Sequence, residues 1–147
     1  QENGRRAGTE AMPQISAFGE ACSVAKQGFK ANSEHIAALR AMAVEKLSAK
    51  IPELVLISGG ASHILSISMP GWRSEVLMNF LEAKDIYVSR SSACKKGGRS
   101  HVLEAMGLDA KVIDGAIRIG LCRYNTAEDI EALVEALAEA RNTLAHR

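Results

Sequence analysis

Aromatic side chains are scarce, at 4% of the 147 residues. A chain so poor in rings offers few platforms on which a single-stranded nucleic acid could stack. Nor does either sign of charge dominate. Lys plus Arg is 18 and Asp plus Glu is 17, for a formal net charge of +1. No global field therefore draws the chain to a polyanion. Long apolar runs are also missing. The longest charge-poor stretch lies between Lys50 and Arg73, and Glu53 interrupts it; no stretch reaches the roughly 18 apolar residues of a membrane span. Cysteine is sparse and odd in number. Cys22, Cys94 and Cys122 cannot all pair, and none lies in a CxxC motif. That excludes a secreted disulfide scaffold and predicts a protein of the reducing cytoplasm. The opening Gln1-Glu2-Asn3-Gly4-Arg5-Arg6 has no apolar stretch of signal-peptide type. A chain beginning at Gln reads as an excised piece of something longer.

What is present is ordinary for a folded domain. Hydrophobic residues are 47% and charged residues 24%, which rules out disordered, collagenous and mucin-like classes. The length predicts one domain with one core. Residues 1–10 are polar and read as a loop. Apolar positions at Ile15, Phe18, Cys22, Ala25, Phe29, Ile36, Leu39, Ala43 and Leu47 recur at helical spacing. They predict one long amphipathic helix from Pro13 to Lys50, ended by Ile51-Pro52.

Four short strands follow from the pattern: 54–57, 63–68, 86–88 and 116–121. Ser74 is a candidate cap for a helix carrying Val76, Leu77, Phe80 and Leu81. Ser100 is a candidate cap for a shorter helix that Gly107 stops. Thr126-Ala127-Glu128-Asp129 resembles a capping box ahead of a last helix with Ile130, Leu133, Val134, Leu137 and Leu144 on one face. The predicted class is α+β: a small, mainly antiparallel four-stranded sheet with helices packed on one face.

One cysteine stands apart. Cys94 lies in Ser91-Ser92-Ala93-Cys94-Lys95-Lys96-Gly97-Gly98-Arg99-Ser100, a stretch too polar to bury. Arg90, Lys95, Lys96, Arg99 and the positive end of a following helix would all favour its thiolate. The local sequence leaves an incidental exposed cysteine equally open. Cys22, on the helix stripe, and Cys122, at a strand end, read as packing residues. Arg123 follows the fourth strand, where an arginine can hold a carboxylate through two hydrogen bonds; an ordinary surface arginine is the plainer alternative. Arg5, Arg6 and Thr9 form a weak anion-type loop. His35, His63, His101 and His146 are scattered, and no zinc-type spacing exists.

Together these segments resemble the C-terminal part of NifS/IscS-like cysteine desulfurases, class-V aminotransferases that use pyridoxal phosphate. Residues 1–10, QENGRRAGTE, are similar to a QExGxRxGT segment, and residues 63–71, HILSISMPG, to an HILNISFPG strand. Ser91-Ser92-Ala93-Cys94 is similar to an SxSAC active-cysteine loop. Ser100–Gly107 follows as in the family, and Ala116–Ile119 with Arg123–Thr126 resembles SIRFSLGRxxT.

The resemblance implies a nucleophilic Cys94 that carries sulfur from L-cysteine as a persulfide. It implies an Arg123 that binds the substrate carboxylate, and a Thr9 that reaches the cofactor phosphate across a homodimer. Residues 1–10 would then be a remnant of the phosphate loop and 11–147 the small domain. The family's cofactor lysine follows a histidine, and no His-Lys pair occurs here. The isolated chain is therefore expected to be inactive and to hold no covalent pyridoxal phosphate. The parent would turn L-cysteine into L-alanine and pass sulfur to an acceptor or scaffold protein for iron–sulfur clusters or thio-cofactors. A selenocysteine lyase or other class-V transferase, and a stand-alone sulfur-acceptor or docking module, remain alternatives. Residues 91–98 are expected to be the most mobile internal segment, between rigid helices.

Overall fold

The computed structural model describes residues 2–5, 7–57, 59–90 and 99–145. Cys94 and the whole 91–98 segment, with the expectation about its mobility, lie outside them. Residues 1–32 and 33–147 form two compact units.

In residues 1–32 a short 3-10 turn, Glu2–Gly4, precedes helix α1, which runs from Met12 to Lys50. Pro13 falls in its first turn, where the missing N–H costs nothing. The predicted apolar stripe is present here but not covered. Ile15, Phe18 and Phe29 are exposed, the two phenylalanines at 73% and 71%. Cys22 is exposed as well, which corrects its reading as a packing residue. Helical periodicity says which side chains share a face; it does not say what lies against that face.

In residues 33–147, α1 buries Leu39, Ala43 and Leu47 at spacings of four. Strands β1 (Val55–Leu56), β2 (Ile64–Ser68), β3 (Ser89–Arg90) and β4 (Ala116–Gly120) form one sheet in the order β1-β2-β4-β3, every neighbouring pair antiparallel. Helices α2 (Ser74–Glu82) and α5 (Ala127–Thr143) complete the main layer, and two short helices, α3 (His101–Ala105) and α4 (Ala110–Asp114), lead into β4. The α+β class with a four-stranded antiparallel sheet is thus observed.

The register Leu65↔Ile119 and Ile67↔Ile117 places four branched side chains on one face. They share a core with Leu47 and Ile51, Leu77 and Leu81 of α2, and Ile130, Val134 and Leu137 of α5. Each such side chain contributes about 1.5–3 kcal/mol on burial. A second, smaller cluster joins Leu103, Ile113 and Ala116. Gly115 sits where α4 enters β4. A Cβ there would lie 2.2 Å from the Met69 carbonyl oxygen, so the close approach requires glycine.

Three local readings differ. The strand expected at 86–88 is displaced to Ser89–Arg90. Asp85 adopts a left-handed φ of 59° and the Ile86 N–H closes back on the Leu81 carbonyl. Ile86 and Val88 therefore pack on the core without pairing in the sheet. Ser74 is the first residue of α2, and Arg73 occupies the cap position without a side-chain bond. Helix α4 was not foreseen. Asp109 caps it by accepting from the Lys111 N–H at 2.8 Å.

Candidate active site

Arg123 leaves the sheet in the turn Cys122-Arg123-Tyr124-Asn125, and Asn125 fixes that turn from several sides. Its N–H donates to the Cys122 carbonyl at 3.2 Å, and its side-chain Oδ1 accepts from the Cys122 N–H at 2.9 Å. Its Nδ2 donates to Asp129 Oδ2 at 3.1 Å. Its carbonyl accepts from His35 Nε2 of α1 at 2.9 Å. Behind the turn, α5 opens with the predicted capping box. Thr126 Oγ1 accepts from the Asp129 N–H, and Asp129 Oδ2 accepts from the Thr126 N–H. Asp129 is held below the usual carboxylate range by the Asn125 amide first and the Thr126 N–H second. Glu128 is lowered too, by its own N–H first and the Thr126 hydroxyl second.

Arg123 is exposed at the tip of this locked turn. Its Nη2 donates to the Tyr124 hydroxyl at 2.6 Å, and the guanidinium lies 4.8 Å from that ring's centroid. Arg90, Arg99 and Arg141 each have a carboxylate partner. Among the described residues Arg123 has none. An arginine stacked on an aromatic face with most donors unspent has the chemistry to bind a carboxylate. Cys122, read as a packing residue, is exposed instead, because β4 has already ended at Gly120.

The residues flanking Cys94 correct part of its electrostatic picture. Arg90 Nη1 donates to Glu75 Oε1 at 2.6 Å. Arg99 meets Asp114 through two bonds of 2.7 and 2.8 Å. The Asp114 carboxylate raises Arg99, first through the hydrogen bond and then through charge. The same bond lowers Asp114. Two of the four cations expected to favour the Cys94 thiolate are thus matched by carboxylates. Helix α3 is only five residues long and carries Glu104 in its first turn, so its dipole adds little. These pairs tie Arg90 to α2 and Arg99 to α4.

Thr9 is exposed in the unit of residues 1–32. A threonine hydroxyl is a group that can bond a phosphate oxygen, as an arginine can bond a carboxylate. Lys46, Lys50 and Lys84 are engaged with Glu131, Glu135 and Glu139. Among the described residues no group of three or more metal-ligating side chains exists, and no helix is long and apolar enough to cross a membrane. Sequence reasoning placed Arg123 just beyond the fourth strand, as observed, and missed Asn125, although an Asn between a strand end and a helix cap is a turn signal.

The chain is similar to known proteins in sequence and in fold. The family described as Aminotransferase class-V matches residues 1–133. The chain is 34% identical over 144 residues to a cysteine desulfurase IscS of Methanosarcina thermophila, covering 95% of this chain and 35% of that protein. It is 33% identical to a cysteine desulfurase of Trichormus azollae, covering 95% and 36%. A solved NifS-like protein superposes with a TM-score of 0.81 at 33% identity, over 98% of this chain and 37% of that one. A NifS-like protein from Rickettsia africae gives 0.81 at 28% identity. The chain spans about a third of the length of the curated relatives it matches. By profile, sequence and fold, it belongs to the class-V aminotransferase family, in the neighbourhood of the NifS/IscS-like cysteine desulfurases.

Proposed function

We propose that this chain is the small-domain portion of a cysteine desulfurase, bearing the cysteine that takes up sulfur. The observation that carries the reading is Arg123: exposed, without an acidic partner among the described residues, and held on a locked turn. It occurs in a chain a third identical to proteins named cysteine desulfurase. In this reading Arg123 binds the substrate carboxylate and Thr9 the cofactor phosphate, from the neighbouring subunit of a homodimer. Pyridoxal phosphate, when bound, supplies the electron sink that weakens the substrate Cβ–S bond.

The Cys94 thiolate attacks the substrate sulfur. An S–S bond forms as the Cβ–S bond breaks, the electron pair stays on Cβ, and a proton completes L-alanine. Cys94 is left as a persulfide for an acceptor protein of cytoplasmic iron–sulfur or thio-cofactor synthesis. The lysine that anchors the cofactor is contributed by a part of the enzyme outside this chain.

The test is a chimera in which this chain replaces the matching third of the Methanosarcina thermophila relative. Alanine release and protein-bound sulfur from L-cysteine are measured. Cys94→Ser should abolish bound sulfur, and Arg123→Ala should raise KM about tenfold or more. A folded, cofactor-loaded chimera that turns over equally well with Cys94→Ser would overturn the reading.

A further inference from the structure

Tyr124 and Arg123 are held together in two ways. The guanidinium lies over the tyrosine ring, 4.8 Å from its centroid, and Arg123 Nη2 donates to the Tyr124 hydroxyl oxygen at 2.6 Å. A phenol has one proton to give and lone pairs with which to accept. With a lone pair taken by Nη2, the O–H of Tyr124 cannot point back at that nitrogen and is directed away from it. The side chain is 75% exposed, and among the described residues no acceptor for this O–H is present. Two kinds of donor therefore stand side by side at the tip of the turn: the unspent N–H groups of Arg123 and the Tyr124 O–H. The 2.6 Å between their atoms is close to the spacing of two nitrogens within one guanidinium, which a carboxylate bridges with its two oxygens.

The surroundings keep the pair in place. Asn125 fixes the backbone that carries both side chains. Glu128 and Asp129 lie in the first turn of α5. Asp129 accepts from the Asn125 amide and the Thr126 N–H, and the N-terminus of α5 opposes both charges. His35 is spent on the Asn125 carbonyl.

We propose that Tyr124 is a second binding residue for the carboxylate at this site: one carboxylate oxygen takes an Arg123 N–H and the other takes the Tyr124 O–H. The ligand class is a small monocarboxylate. That this monocarboxylate is the amino-acid substrate rests on the desulfurase reading; the two-donor clamp stands on the geometry. Stacking on the ring fixes the guanidinium plane before the ligand arrives, so less side-chain freedom is lost on binding. No bond to Tyr124 is made or broken, and its part is to bind and orient.

The test uses the chain with its arginines labelled with heavy nitrogen. Sodium acetate replaces sodium chloride at constant ionic strength while the Arg123 side-chain N–H resonances are followed by NMR. A saturable shift with acetate is expected. Tyr124→Phe keeps the ring and removes only the hydroxyl, and should weaken acetate binding about threefold. Tyr124→Ala removes the stacking as well and should weaken it further. In the chimera described above, Tyr124→Phe should raise KM for L-cysteine more than it lowers kcat.

Acetate binding as tight in Tyr124→Phe as in the parent chain would overturn the proposal. So would the absence of any saturable shift. Hydroxyl-dependent acetate binding beside an unmoved KM in the chimera would uphold the clamp and overturn the assignment of the substrate carboxylate to Arg123. Failure of the clamp and failure of the functional reading are thereby separated.

Discussion

At the scale of single residues, the site rests on a neutral amide. Asn125 accepts from the Cys122 N–H and donates to Asp129, tying the exit of β4 to the entry of α5 with Arg123 between them. Asn125→Ala removes both side-chain bonds and should cost about 1–2 kcal/mol in urea unfolding, within the usual range for hydrogen bonds of which one is to a charged group. A second reading isolates the cause. Because the Asn125 amide is the largest reason Asp129 sits low, NMR titration of Asp129 should move toward the ordinary carboxylate value in the variant. An unmoved Asp129 would mean that the amide does not hold the turn. The position of Arg123 beyond β4 was legible in the sequence, because the strand pattern ends just before it. Asn125 was not, because its importance lies in partners distant along the chain, such as His35.

At the scale of elements, the agreement between sequence and structure follows the range of the forces involved. The capping box at Thr126 is local, and it is present as read. Strand β3 depends on a partner, and its pairing falls at Ser89–Arg90, beyond the apolar 86–88 run. Cys22 and Cys122 were misjudged for the same reason: periodicity and strand position do not specify what covers a face. The cap gives a further prediction. Thr126→Ala should destabilise α5 by about 1 kcal/mol. Its pH dependence has a definite sign. Glu128 and Asp129 both lie below their ordinary values in the folded chain. Their contribution is therefore complete above the unfolded-state pKa of about 4 and is lost as pH falls through the lower folded values. Urea midpoints taken from pH 6 to pH 3 should fall more steeply in the parent chain than in Thr126→Ala. Parallel curves would show that the box does not lower these carboxylates.

At the scale of the whole molecule, the two halves of α1 face different circumstances. From Leu39 to Lys50 the helix is pinned by Leu39, Ala43 and Leu47, buried in the core shared with the sheet and α5. From Met12 to Gln27 every residue is exposed, the apolar Ile15, Phe18 and Val24 included, and Gly19 lies within this stretch. Intrinsic helical propensity is a weak support. A glycine costs about 1 kcal/mol relative to alanine, and a helix of this length in water is marginal without tertiary burial. The backbone bonds of this half should therefore open locally, whereas those after Leu39 should open only when the core does. Amide hydrogen exchange on the chain at neutral pH gives the measurement. Residues 14–30 are expected to exchange orders of magnitude faster than residues 43–50, with a boundary in the mid-thirties. Protection of 14–30 equal to that of 43–50 at micromolar concentration, and lost on dilution, would show a second copy seated on the Ile15–Phe18–Phe29 stripe. Equal protection independent of concentration would mean that the first half of α1 is stable by itself, and the division of the helix would have to be given up.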